Sequence, residues 1–284
     1  MSAPSEQATG ADLPARWRAD RMLLADRRRG TARTVVAEED ALLLMVRVAD
    51  RSTLLGRGDP ARVRRLLGVR ATGLGPVRWA TLPRLAAGPA GVSGAPEHEG
   101  PWLEAEVDLP ASTRTALGIE AATAWDWFAT TTPPGAVPHG DRVDALDPIG
   151  DADAIRACLA AANPGSRADP VAPDEAAWFG VTGTDGLVGV IGASRRAGDP
   201  LGADLSWHLH GLGVLPGARG AGLGAALTSA ATVAGFAAGA DWVSLGMYAA
   251  NAPARRLYDR LGFVVEGRFT SYRAVTATHP GARR

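Results

Sequence analysis

The amino-acid sequence predicts an α/β (α+β) protein. A mixed central sheet flanked by helices fills its C-terminal half, and an additional α/β domain precedes it. Three observations lead there. From residue 142 to 275, strand-like and helix-like periods alternate as β-α-β-β-β-α-β-α-β, an order that places helices on the faces of one sheet. The stretch TTPPGAVPHGD at 131–141 is a Pro/Gly-rich joint between the halves. With 284 residues and 46% apolar content, two domains of ordinary size can each bury a core. The expected division is a flexible tail at 1–12, an N-terminal α/β domain at 13–140, a second domain at 141–276 and a tail at 277–284.

The elements follow in order. LPARWRADRMLLADRRRG reads as one helix closed by Gly30; Asp20 and Asp26 interrupt its arginines, so its charge reads as a solvated face. A strand is expected from Ala41 to Ala49, and a helix from Asp59-Pro60 to Gly68. Short strands come next at Val77–Thr81 and Leu103–Leu109, then a helix from Ala111 to about Ala129 holding Trp125, Trp127 and Phe128 as core or interface filler. Beyond the joint, Arg142–Leu146 reads as a strand and Asp151–Ala162 as a helix with acids in its first turn. Trp178–Val181 and Leu187–Ala193 form a hairpin around TGTDG. Then come a strand (Leu205–Val214), a helix (Gly222 to about Ala238), a strand (Trp242–Tyr248), a helix (Pro253–Leu261) and a final strand pair (Phe263–Val275).

Composition excludes several classes. Basic and acidic residues balance at 30 each, so no global charge recruits nucleic acid. Every basic residue is arginine, which leaves a bound phosphate to guanidinium forks and backbone N–H groups. The single cysteine, Cys158, rules out an internal disulfide and a multi-cysteine metal site, and its Ala-rich setting reads as core filler. No metal is expected. The longest apolar run, Ala41–Val46, is too short to span a membrane, and residues 1–12 lack the apolar region of a signal peptide. A cytoplasmic protein without membrane contact is the expectation; a homodimer stays open.

Two hexamers share the spacing R-x-x-G-x-G: RATGLG at Arg70–Gly75 and RGAGLG at Arg219–Gly224. An anion needs a helix N-terminus, where free N–H groups and the dipole both point. The early copy follows a helix and runs into PVRWATLP, so it reads as a turn. The late copy follows a strand and opens a helix whose apolar residues Leu223, Ala226, Leu227, Ala230, Val233 and Ala234 keep one face. A Walker loop is excluded because it needs a lysine, and a dinucleotide loop because it should open the first β-α-β unit.

VLPGARGAGLGAAL (Val214–Leu227) resembles the acetyl-CoA pyrophosphate loop of the GNAT superfamily of N-acetyltransferases. NAPARRLYDRLGF (Asn251–Phe263) resembles that superfamily's N-x-x-A-x-x-x-Y-x-x-x-G-F motif at the usual distance. The resemblance covers about residues 142–275, so 141–276 becomes an expected acetyl-CoA-binding catalytic domain with a GNAT-like sheet. It implies acetyl transfer from acetyl-CoA to a primary amine of a small molecule or peptide by direct attack, without metal. In it, the amides of Arg219, Gly220, Ala221, Gly222, Leu223 and Gly224 hold the pyrophosphate. Leu212 and Val214 face the pantetheine arm and the oxyanion, and Asn251 contacts the cofactor arm. Tyr258 points inward by its spacing and takes the family's general-acid role. His208 and His210 alternate on one strand face and are the two candidates for the base that deprotonates the amine. Arg195, Arg196, Arg255 and Arg256 are further candidates for the CoA 3′-phosphate or for solvated faces.

Residues 13–140 are open to being a degenerate copy of the same fold, as in tandem enzymes of the mycothiol-synthase kind. Two other readings compete with catalysis on a small amine: an acyl-CoA-binding regulatory module, and a nucleic-acid-associated acetyltransferase using the basic N-terminal segment.

Overall fold

The computed structural model describes residues 15–26, 31–38, 40–48, 51–84, 109–197 and 205–275. The tails, the end of the first helix at residues 27–30 and the expected strand at 103–108 lie outside the described residues. The chain forms two compact units: Met1–Asp20, Arg29–Trp125 and Gly267–Arg284 in the first, Arg21–Arg28 and Asp126–Glu266 in the second. In chain order the elements are α1 (Ala15–Arg18), α2 (Arg21–Asp26), β1 (Thr31–Glu38), β2 (Ala41–Val48), β3 (Arg51–Gly58), α3 (Pro60–Leu74), β4 (Trp79–Pro83), α4 (Ala111–Leu117) and β5 (Ile119–Thr130). After the joint follow β6 (Asp144–Leu146), α5 (Ala152–Ala162), β7 (Glu175–Gly183), β8 (Gly186–Ala197), β9 (Ser206–Val214), α6 (Leu223–Ala237), β10 (Trp242–Tyr248), α7 (Ala252–Arg260) and β11 (Val264–Ala274). The class is a mixed α/β fold, as the periodicity predicts.

In the first unit β1, β2 and β3 form an antiparallel meander, and α3 crosses over to β4, which lies parallel to β3. The second unit repeats this plan: β7, β8 and β9 form the meander, α6 crosses, and β10 lies parallel to β9. Both crossover helices have 15 residues. After its parallel strand each half continues with a helix and one long strand, α4–β5 in the first and α7–β11 in the second. These last strands are exchanged: the neighbour of β4 is β11, and the neighbour of β10 is β5.

Several sequence expectations need correction. The first helix is broken after Arg18, where Asp20 turns its N–H to Trp17 O and its carboxylate to the Arg57 guanidinium (2.9 and 2.5 Å). The second expected helix runs past Gly68 to Leu74. Its buried stripe, Val63, Leu66, Leu67 and Ala71, carries on beyond the glycine, and packing outweighs a propensity cost of about 1 kcal/mol. RATGLG is thus the C-terminal end of α3, capped by Gly75, and not a separate turn. The helix expected at 111–129 ends at Leu117; β5 follows as a 12-residue strand. Residues Asp126–Thr130 are all buried, so this inner strand shows no apolar/polar alternation and reads as helix by period. The final strand pair is one 11-residue strand, β11. Gly267 inside it lets the Phe269 ring and the Arg57 guanidinium approach, and makes no turn. Strands β1 and β3 have no counterpart among the sequence expectations, and β4 lies two residues later than expected.

The core of the second unit joins Phe179, Ile191, Ala193, Trp207, Leu209, Val243 and Leu245 of the sheet to Leu223, Leu227 and Ala231 of α6. On the other face Ile155, Cys158 and Leu159 of α5 pack on Trp178 and Val190. Cys158 is buried, as its Ala-rich setting predicts, and burial pushes its thiol pKa up. Gly192 leaves room for two rings: a Cβ there would meet Trp178 at 2.6 Å and His210 at 2.7 Å. Gly192→Ala is expected to lower stability by about 1–3 kcal/mol, read as a fall in the urea midpoint at unchanged slope.

Candidate active site

The site grows from the end of β9. Residues Ser206–Leu209 pair in parallel with Trp242–Leu245 of β10, and this pairing does not continue to 210–214 or 246–248. The register against β8 slips between Val190 and Gly192, and Gly211 stands in the left-handed region at φ 63°. A bulge there turns β9 away from β10 and leaves a gap between two parallel strands. Asn163, at the C-terminus of α5, donates from Nδ2 to the Leu212 carbonyl (3.2 Å) and holds the far side of the bulge.

Beyond Val214 the chain makes a tight turn over Pro216–Ala218 and then reverses handedness at Gly220 (φ 79°) and Gly222 (φ 80°). Gly222 is the N-cap of α6 and, having no side chain, leaves the helix end open. Among the described residues, the N–H groups of Gly220, Ala221, Gly222, Leu223 and Gly224 have no hydrogen-bond acceptor. Adjacent free amides in this curl, at the positive end of a 15-residue helix, have the arrangement that suits an anion. Arg219 does not face into the curl. Its N–H bonds Pro216 O, its Nε donates to Val214 O (3.0 Å) and its Nη2 to Ala162 O (3.1 Å). The guanidinium ties the turn to the end of β9 and to the C-terminus of α5.

The equivalent turn of the first unit, between β3 and α3, is Gly58-Asp59-Pro60. Asp59 Oδ1 accepts from Arg62 N (2.9 Å) and caps the helix, while Pro60 has no N–H to offer. A carboxylate already occupies the place an anion would take. The early hexamer, at the opposite end of α3, meets carbonyls and the negative end of the dipole.

Asn251 is the N-cap of α7: its Oδ1 accepts from Ala254 N (3.1 Å), and its carboxamide nitrogen has no bond among the described residues. A Cβ on Gly224 would sit 3.3 Å from Leu257 of α7, so the start of α6 and the middle of α7 touch. The next residue, Tyr258, is buried and packs between Phe128 and Phe263, with ring centroids at 5.9 and 6.0 Å. Burial pushes its phenol pKa up to about 12, which keeps the proton on the oxygen.

His208 and His210 lie on the β9 face that carries Ser194 and Gly192 opposite them. His208 Nδ1 is 3.0 Å from Ser244 Oγ on β10. His210 Nε2 is 3.1 Å from Glu175 Oε1 on β7, out of line for a hydrogen bond. His210 is the histidine beside the bulge. Sequence reasoning misses Glu175, Asn163 and Ser244; each acts across strands, and nothing in local spacing marks them. Of the arginine candidates, Arg255 is paired with the fully buried Asp126 carboxylate of β5 and stacks on Phe128, and Arg196 lies 3.7 Å from Asp174. Arg16 and Arg21 are paired with Asp40 and Glu266, so with the helix broken the N-terminal segment has no continuous basic face over the described residues. No helix among the described residues is long and apolar enough to cross a membrane, and no group of three His, Cys, Asp or Glu side chains there is placed to hold a metal.

A mixed α/β unit with a parted parallel pair and an amide-lined turn between them defines a domain of the acyltransferase class. Residues 153–263 match the Acetyltransferase (GNAT) family. Among solved structures, the chain is similar to a GCN5-related N-acetyltransferase from Kribbella flavida (18% identity over 94% of this chain and 96% of that one, TM-score 0.49). It is also similar to a GCN5-related N-acetyltransferase from Sphaerobacter thermophilus (18%, 83% and 80%, 0.48). A tandem GNAT protein from the clavulanic acid biosynthesis pathway matches at 19% identity over 86% of this chain and 82% of that one, with a TM-score of 0.43. No curated protein matches in sequence.

Proposed function

We propose that the protein is an N-acetyltransferase that moves an acetyl group from acetyl-CoA to a primary amine of a small molecule or peptide by direct attack. The observation that carries this is the run of unpartnered amides from Gly220 to Gly224 beside the gap between β9 and β10. The cradle takes the CoA diphosphate. The backbone of Leu212–Val214 pairs with the pantetheine amides as an added strand, and Asn251 lends its free carboxamide nitrogen to the same arm. The thioester then lies at the bulge, with His208 and His210 on one side and Tyr258 at the α7 end. The histidine takes the amine's proton, nitrogen attacks the carbonyl carbon, and the C–S bond breaks as Tyr258 gives its hydrogen bond to the departing sulfur.

The first unit is a second copy of the fold without a working cradle, which makes the chain a tandem of one active and one degenerate half. Its repeated element order supports this reading, and Asp59 explains the loss. One donor site per chain follows, so titration with CoA is expected to give a stoichiometry of one. Thiol release from acetyl-CoA, followed with a chromogenic disulfide over a panel of tryptamine, spermidine, glucosamine and a free N-terminal peptide, tests the activity. Heat of binding without thiol release from any amine would turn the protein into an acyl-CoA-binding module. Arg219→Ala is expected to cost about 1–3 kcal/mol of stability by freeing two carbonyls of their donor, and thermal unfolding with and without CoA reads it.

A further inference from the structure

Five buried polar atoms near the bulge lack a hydrogen bond among the described residues: Glu175 Oε2, Trp178 Nε1, Ser194 Oγ and both ring nitrogens of His210. They belong to one cross-strand group. Glu175 stands opposite Ser194, and Trp178 and His210 both stand opposite Gly192. The Trp178 and His210 rings meet edge to face at 5.5 Å over the space that Gly192 leaves. Polar atoms in a core are costly unless water, a guest or a reaction partner meets them. Of the other ionisable groups on the elements packed here, Arg196 lies near Asp174, Arg156 pairs with Asp153 and Asp169, Arg21 pairs with Glu266, and His208 meets Ser244.

We infer that Glu175 is the positioning residue of a Glu175–His210 dyad, with His210 rather than His208 as the base. The inference rests on the acetyltransferase reading of the site. Oε1 of Glu175 faces Nε2 at 3.1 Å, and the pair forms a hydrogen bond once the ring turns to bring Nε2–H into line. The carboxylate then holds the hydrogen on Nε2 and leaves the Nδ1 lone pair for the acceptor, the logic by which a carboxylate sets a histidine tautomer in hydrolase triads. In the step itself an acceptor R–NH2 forms the N–C bond, and Nδ1 takes one of its protons. The C–S bond breaks, and the thiolate is protonated from Tyr258, which recovers its proton from imidazolium through solvent. The imidazolium forms beside a carboxylate that offsets its charge. His208 has no such role, because its Nδ1 is engaged by Ser244 across the parallel pair.

The test uses the full chain. Ring-nitrogen NMR shifts of the neutral imidazole are expected to show His210 as the Nε2–H tautomer in wild type; an Nδ1–H tautomer overturns the dyad. Glu175→Gln is expected to lower kcat about 10- to 100-fold while the KM for acetyl-CoA stays within about twofold, and Glu175→Asp is expected to recover most of the loss. Unchanged turnover in Glu175→Gln, or equal loss of kcat and acetyl-CoA affinity without recovery in Glu175→Asp, overturns it as well. Should Glu175→Gln fail to fold, the wild-type tautomer still decides. Should wild type turn over no amine, the acetyltransferase reading fails by itself, and the tautomer judges the pairing separately.

Discussion

Gly222→Val is expected to abolish acetyl-CoA binding, with calorimetric affinity falling about 100-fold or more while the protein stays folded. Gly222 sits at φ 80°, and the nearest atom to an added Cβ is His139 Cδ2 at 3.7 Å. Space is therefore not the obstacle. A β-branched residue strongly resists left-handed backbone, at about 1–2 kcal/mol for the Cβ alone, and it relieves that strain by turning the peptide planes on either side. Those planes carry the cradle's amides. Each charge-assisted bond lost to a phosphate is worth about 1.5–3 kcal/mol, so two of them account for the factor of 100. Arg70→Glu, at the far end of the other crossover helix, is expected to leave the affinity unchanged. Continued thermal protection of the valine variant by CoA would show that the diphosphate rests elsewhere.

Tyr258→Phe is expected to lower kcat about 100-fold and to leave the affinity for acetyl-CoA within about twofold. The phenol packs among Phe128, Phe263 and Leu261, so removing one oxygen leaves the helix and the adjoining cradle in place. On the proposed mechanism, what goes is the hydrogen bond to the sulfur as charge develops there. The same burial has a thermodynamic signature. The phenol ionises at about 12 in the folded protein and at about 10 when unfolded. Below pH 10 both states hold the proton, and the group contributes no pH dependence. Between pH 10 and 12 the unfolded state releases its proton first, so stability falls by about 1.4 kcal/mol per pH unit from this residue alone. A phenylalanine ring cannot ionise, and the difference in urea stability between pH 9 and pH 11 is expected to be smaller in the variant by about 1 kcal/mol or more. Equal alkaline slopes would mean that the phenol reaches solvent. Unchanged turnover would remove it from the mechanism.

The second half of the protein is legible because its chemistry is local. RGAGLG needs only a strand before it and an apolar helical stripe after it, and both are written in consecutive residues. The expected strand Trp242–Tyr248 matches the observed one end to end for the same reason, since a short apolar run bounded by Asp241 and a loop leaves one reading. The first half misleads where long-range packing outweighs local signals. Gly68 reads as a helix stop and stands in the middle of α3, where its surroundings are open. AWDWFAT reads as a helix because the strand it forms is buried on both faces.

By itself the sequence determined the glycine turn, the helix it opens and the tyrosine helix that follows, because backbone handedness, capping and amphipathic period are properties of neighbouring residues. Only the tertiary structure decided that the early hexamer closes α3, that the turn in the equivalent place of the first unit is capped by Asp59, and that Glu175 meets His210. Those relations join residues tens of positions apart through strand register and crossover topology, which no local window carries.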